Sequence, residues 1–293
     1  MMNTHPFGVA RESHRPWSEM HPLAFEADWK QMLLVHLTIA PERLAPHVHL
    51  PLDLYDGKAY LSLVSFSFER FRLAGSGTLG RWLARPFSDH PFLNLRTYVR
   101  GPAGPGIFFI AEWITNRLSF HLGPLTHGLP YRLGNFCVEE NRPGGTSSLR
   151  VEDERDGHGE LRITYPSRRD APQVAKEGSR DAFLLERYLA YTSRGGVTRA
   201  FTVRHTPWRF ERPDWIRAET ALLSHTFPWF AGAEIIGAHT SEGFENVYMG
   251  PPAIVFDPRC ISLARAPTHL AALPPPCSEI VSAYPDYATN HHD

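Results

Sequence analysis

The chain has 293 residues, 42% hydrophobic and 12% aromatic, which suits one large domain or two small ones and excludes global disorder. Its 30 Lys and Arg are balanced by 31 Asp and Glu, so nucleic acid is not an expected partner: phosphate binding needs clustered, uncompensated cations. Cys137, Cys260 and Cys277 form neither a disulfide framework nor a zinc spacing, no apolar run nears the ~20 residues of a spanning helix, and residues 1–20 lack a signal-peptide core. A soluble cytoplasmic protein with no membrane contact is the expectation.

In chain order, residues 1–20 read as a flexible arm, and residues 29–35 as a short helix or an entering strand. Prolines at 41, 46 and 51 bracket a short element around Glu42, Arg43 and Leu44. Asp56-Gly57 is the strongest hairpin signal, and a long strand runs from Ala59 to Phe68. A loop follows over 72–91, with one helical turn at 79–84. Residues 92–100 alternate cleanly as a strand, and a Gly/Pro turn returns the chain into a strand at 107–113. A short helix is expected near 116–122, then strands at 136–140, 148–152 and 160–165. Ser179 caps the best helix, Ser179 to Tyr191. Strands at 197–205 and 208–210, a helix at about 215–224, and strands at 233–240 and 244–249 complete residues 21–257, read as one domain. Residues 258–293 read as a Pro-rich tail. Many short-linked strands without βαβ alternation predict a mainly antiparallel α+β domain, a barrel or strongly curved sheet, and exclude a doubly wound dinucleotide fold.

Period-two alternation places Phe92, Asn94, Arg96, Tyr98 and Arg100 on one face of their strand. On an open sheet that face is simply wet; in a closed barrel it points inward, where Arg96 needs a carboxylate partner or an anionic ligand. On the expected helix, Glu186 stacks between Ala182 and Ala190, leaving room for a ligand, against the alternative of a surface ion pair. A buried Glu186 would have a raised pKa and could move protons near neutral pH. His205, followed by Thr206-Pro207-Trp208, is a proton shuttle or a structural histidine. His47-Val48-His49 resembles half a metal site but lacks a third ligand, so no metal and no cofactor are expected.

The segments Leu50–Tyr60, Leu93–Val99, Leu129-Pro130-Tyr131, Glu186-Arg187-Tyr188 and His205–Trp208, in that order, resemble the uncharacterised YqjF-like bacterial family, over roughly residues 23–252. That family is grouped with the acetoacetate decarboxylase-like superfamily, so the resemblance implies a cone-shaped, closed antiparallel β-barrel with flanking helices and a central cavity. The best-known member of the superfamily uses a lysine imine. Here the corresponding stretch is Gly128–Gly134, with Tyr131 and Arg132 at the lysine positions, and neither forms an imine. Only Lys30, Lys58 and Lys176 exist elsewhere. The expectation is therefore a lyase- or isomerase-type enzyme acting on a small carbonyl compound or organic acid by enolisation, dehydration, cyclisation or isomerisation. Arg96 anchors the substrate, Glu186 moves the proton, Tyr131 and Tyr188 donate hydrogen bonds, and Asn94, Tyr98, Arg132, His205 and Trp208 bind substrate. The alternatives are a non-catalytic binder of an aromatic or acyl ligand, its cavity lined by residues such as Phe66, Phe68, Phe108, Phe109 and Trp113, and a structural subunit whose cavity is filled. A homo-oligomer is left open.

Overall fold

The computed structural model describes residues 23–139, 145–155, 157, 159–167 and 171–257. The expected N-terminal arm and C-terminal tail lie outside these. In chain order the elements are β1 (Phe25–Ile39), α1 (Pro41–Leu44), β2 (Ala59–Leu73), α2 (Gly77–Ala84), β3 (His90–Gly101), β4 (Gly104–Ile114) and α3 (Arg117–Thr126). Then follow β5 (Tyr131–Glu139), β6 (Thr146–Asp153), β7 (Glu160–Pro166), β8 (Gln173–Val174), α4 (Arg180–Leu185), β9 (Leu189–Arg194) and β10 (Val197–Arg204). The chain continues through β11 (Arg209–Phe210), β12 (Arg217–Thr220), α5 (Ala221–Thr226), β13 (Glu234–Met249) and β14 (Ala253–Phe256).

Pairing closes into a ring in the order β1-β2-β3-β4-β9-β10-β13, with β13 returning to β1. Every contact in it is antiparallel except β4 with β9. From β4 a wing of β5, β6, β7 and β12 leads away. The fold is thus the expected mainly antiparallel α+β architecture. The Asp56-Gly57 turn carries positive φ at both residues (48° and 72°), as a two-residue hairpin turn demands.

The alternation of β1 to β4 serves two cores. One side chain set (Met32, Leu34, Val64, Phe66, Phe92) faces the inside of the ring. The other (Leu33, Val35, Leu61, Leu63, Leu93, Leu95) packs outward against Leu149, Val151, Leu161, Ile163, Leu222 and Leu223 of the wing and α5. Both faces of these strands are therefore buried, and neither face of β3 is wet over its central residues.

Two expected helices are corrected. The helix over 179–191 ends at Leu185, and Leu189–Arg194 forms β9 instead, pairing with β10 and β4 and filling the gap that would leave the ring open. Ring closure overrides local helical propensity there. The helix over 215–224 is reduced to residues 221–226, because Arg217–Thr220 adds a strand to the edge of β7. Residues 233–240 and 244–249 form one continuous strand, and residues 29–35 belong to β1.

Candidate active site

The inside of the ring holds a cavity of about 110 Å³. Cross-strand registry arranges its wall in rows. Arg96 sits in a row with Ser62 and Phe109. Asn94 sits with Val64 and Glu112, and Tyr131 at the start of β5 extends that row. Phe92 lies with Phe66 and Ile114, and His90 with Phe68 and Trp29. The α4 segment closes the Arg96 end, where Leu184 O accepts from Tyr98 Oη–H at 2.9 Å and from Arg96 Nη2 at 3.4 Å. Ser119, Leu122 and Thr126 of α3 line the other end.

Glu112 reaches this cavity through a β-bulge. Leu95 faces Ala111 but Arg96 faces Phe109, so Ile110 is the extra residue in β4. Ile107 and Phe109 point inward, Ile110 and Ala111 both point outward, and Glu112 and Ile114 point inward again. Strict alternation from Ile107 would have put Glu112 outside.

Among the described residues, six polar atoms around the cavity are buried and without a hydrogen-bond partner: Trp29 Nε1, His90 Nδ1, Asn94 Oδ1, Arg96 Nε, Glu112 Oε2 and Trp208 Nε1. Each unmade buried hydrogen bond costs about 1–3 kcal/mol, so such groups in a native wall call for water or a polar ligand. Arg96 is 6% exposed and, among the described residues, contacts no carboxylate at ion-pair distance. Burial lowers its pKa, Tyr98 opposes that, and the Arg187 guanidinium adds to it. Arg187 itself is engaged with Asp53 at 2.9 Å. Glu112 is 2% exposed, and burial alone pushes its carboxyl well above the usual range. Burial, with Glu112 second, also raises the Tyr131 phenol.

His205 lines the same cavity, and its Nδ1 lies 2.7 Å from Thr206 O. A carbonyl only accepts, so Nδ1 carries the proton. Burial lowers the ring's pKa, with Arg96 also lowering it and Thr206 and Glu186 opposing, so the neutral ring leaves its lone pair on Nε2.

The structure brings Asn94, Arg96, Tyr131, His205 and Trp208 together on the cavity wall. Tyr98 is fully buried behind Arg96 and bonds Ser62 and Leu184. Glu186 and Tyr188 lie outside the lining. Glu186 ends α4 rather than standing on a helix face, so Ala190 is not its neighbour in a helical stack. Its Oε1 accepts from Trp208 N–H at 3.0 Å and its Oε2 from Tyr188 Oη–H. Arg132 points into the wing, where with Trp113 Nε1 it donates to Asp153. Of the expected aromatic wall, Phe66, Phe68 and Phe109 line the cavity, whereas Phe108 and Trp113 belong to the outer core. None of the three lysines lines it: Lys30 pairs with Glu245 at 3.0 Å, and Lys58 and Lys176 are exposed. Glu112 and His90 were not singled out from sequence. The available signal was a lone carboxylate inside the apolar run Ile107–Ile114.

Residues 26–240 match the model of the DUF2071 family, described as an uncharacterized conserved protein. The chain is 30% identical over 195 residues to the uncharacterized protein YqjF of Bacillus subtilis (strain 168), an alignment spanning 64% of this chain and 74% of that one. Among solved structures, it resembles an acetoacetate decarboxylase-like enzyme from Sphingomonas wittichii RW1 (TM-score 0.55, 14% identity, 79% of this chain and 92% of that one). It also resembles the enduracididine biosynthesis enzyme MppR complexed with pyruvate (0.53, 11%, 80% and 90%). A third is the acetoacetate decarboxylase from Legionella pneumophila (0.54, 10%, 87% and 99%). At these identities the likeness is one of fold.

Proposed function

The chain belongs to the DUF2071 family of uncharacterized conserved proteins, and from its cavity we propose a small-molecule enzyme that enolises or dehydrates an organic acid bearing a carbonyl group, without a lysine imine. The observation that carries this reading is the occurrence, in one cavity, of a buried guanidinium with no carboxylate at ion-pair distance among the described residues and a buried carboxyl whose pKa burial raises well above the usual range. Both groups are costly for the apo fold, and both fit a ligand with an anionic head and a neighbouring oxygen.

Arg96 binds the substrate carboxylate, and its unpartnered Nε–H supplies one of the two donors of a fork. His205 Nε2 takes the proton from the carbon beside the carbonyl. Glu112 gives its proton to the carbonyl oxygen, so the enol forms without net charge and the electron pair of the broken C–H bond becomes the new double bond. Return of protons to a different atom isomerises the substrate. Departure of a β-hydroxyl as water, protonated by Glu112, dehydrates it. Asn94 and Tyr131, in the same row as Glu112, orient the carbonyl. The role expected of Glu186 thus passes to Glu112, while Glu186 holds the backbone of Trp208 and thereby the adjacent wall. The pyruvate complexed with MppR, which is similar in fold, is itself a small acid with a carbonyl beside its carboxylate, which supports a keto acid as the ligand here.

The test is proton exchange at the carbon beside the carbonyl of pyruvate and phenylpyruvate in D₂O, followed by NMR. Wild type is expected to accelerate exchange above the buffer rate, with Glu112→Gln and Arg96→Ala each losing about 100-fold or more. Exchange at the buffer rate in wild type contradicts the reading. Tight binding by both acids without exchange favours the second reading, a binding protein, which the aromatic wall of Trp29, Phe66 and Phe92 supports.

A further inference from the structure

We propose that the ligand is a bifunctional acid with a ring-bearing apolar body and a distal hydroxyl, rather than a short hydrophilic keto acid. This rests on the reading above for its anionic end and extends it to the rest of the molecule.

The rows of the wall differ in chemistry, and neighbouring rows on β3 are two residues, or about 6.7 Å, apart. At the closed end lies the Arg96 row, cationic. Next comes the Asn94–Glu112 row, with an unpartnered acceptor and an unpartnered carboxyl oxygen. The third row is apolar: Phe66 stacks on Phe92 at 4.9 Å with Ile114 beside them, and Tyr131 meets Phe92 edge-on at 5.9 Å. A carboxylate seated on Arg96 and a carbonyl beside Glu112 would place whatever follows among these rings. A pyruvate-sized molecule ends before it reaches them. An aromatic ring there gains burial together with edge and face contacts.

The fourth row is polar again, which an aliphatic-only or plain aryl body does not explain. Trp29, Phe68 and His90 lie side by side across β1, β2 and β3. Trp29 Nε1–H and His90 Nδ1 are both buried without a partner, and His90 is 6% exposed. Burial pulls the pKa of the His90 ring down to about 4, with the Ser88 backbone and the Asp89 charge opposing, so the ring is neutral. One fixed donor and one imidazole nitrogen lining the same cavity suit a hydroxyl, which accepts from the indole and donates to the imidazole. The way in agrees. Leu122, which lines the cavity and is 42% exposed, belongs to a stretch from Trp113 to Val138 that contains no acidic residue to repel an incoming carboxylate.

Isothermal titration of the full chain with pyruvate, phenylpyruvate and 4-hydroxyphenylpyruvate tests this on wild type, Arg96→Ala, His90→Phe and Trp29→Phe. The two phenylalanine replacements keep an aromatic ring in the wall, and thermal unfolding checks that each variant folds. Phenylpyruvate is expected to bind about 10–100-fold more tightly than pyruvate, and the hydroxyl to add about tenfold. His90→Phe and Trp29→Phe should erase the hydroxyl gain and leave phenylpyruvate unchanged, whereas Arg96→Ala should weaken all three acids. Pyruvate binding as tightly as the aryl acids, yet still dependent on Arg96, would overturn this inference and leave the anionic site standing. Aryl acids bound with no hydroxyl preference would overturn the distal site. Binding of none of the three acids to wild type would remove both the inference and the acid-binding reading beneath it.

Discussion

Glu112 is the residue on which the proposed chemistry turns, and its raised pKa has a consequence for stability. Its folded-state pKa is raised by burial while the unfolded chain titrates near 4.5. The unfolded state therefore releases a proton above that pH that the folded state retains, and stability falls as pH rises past 4.5. Glu112→Gln removes this penalty. Its melting temperature is expected to exceed that of wild type at pH 7, by about 2–4 °C per kcal/mol recovered, and to converge on it near pH 4. Identical melting curves at both pH values would show that Glu112 is not held neutral. The gain should accompany the loss of exchange activity, as function purchased with strain implies. Asn94 and Arg96 were legible because alternation in β3 runs unbroken past them. Glu112 was not, because Ile110 shifts the sidedness of β4 by one residue and a bulge leaves no parity signal in sequence.

The short helix α4 shows how an element's role follows from its neighbours. Ser179 caps it as expected, its Oγ accepting from Ala182 N–H at 3.2 Å. The helix nevertheless stops after Leu185, since the following residues are needed as a ring strand. What holds it over the closed end of the cavity is a buried chain: Tyr98 Oη reaches Leu184 O, Ser62 Oγ lies 2.6 Å from Tyr98 Oη, and His36 Nδ1 lies 2.7 Å from Ser62 Oγ. His36 Nε2 then meets His239 Nδ1 at 2.8 Å, and His239 meets Asp181 of α4 at 3.2 Å. Tyr98→Phe deletes a link in this chain without opening the cavity wall. We expect about 1–2 kcal/mol of destabilisation in urea unfolding, together with weaker acid binding through a looser Arg96, and unchanged stability would dissociate α4 from the chain. Glu186→Gln acts at the other end of α4: it should lower stability while sparing exchange activity far more than Glu112→Gln does. Equal losses of exchange in the two variants would return the proton-transfer role to Glu186.

The ring as a whole encloses titratable groups that a smaller core would not tolerate. His36, His90 and His239 are all buried with lowered pKa values, chiefly by desolvation, the latter two to about 4. The unfolded chain takes up these protons near pH 6.5 and the folded chain does not. Their contribution is present above 6.5 and is lost as pH falls toward 4. Melting temperature should drop over that window, and His239→Asn should flatten the drop; an unchanged profile in the variant would contradict neutral burial. Much of this architecture was readable: alternating strands, the Asp56-Gly57 turn and the absence of βαβ units lead to an antiparallel ring. Sequence did not show that both faces of β1 to β4 are buried, because Leu93, Leu95 and Val99 look the same whether they cover a core or form one side of a barrel. The wing that covers them becomes visible only once β12 adds to β7 across more than fifty residues.

The most direct test of a neutral carboxyl in the same cavity as the Arg96 guanidinium is the titration of Glu112 itself. Its side-chain carboxyl carbon can be followed by ¹³C NMR in selectively labelled protein, with Glu112→Gln giving the assignment. The carboxyl is expected to remain protonated at pH 7 and to respond when an acid ligand fills the cavity. A Glu112 signal that titrates near 4.5 and ignores ligand would contradict the site as described.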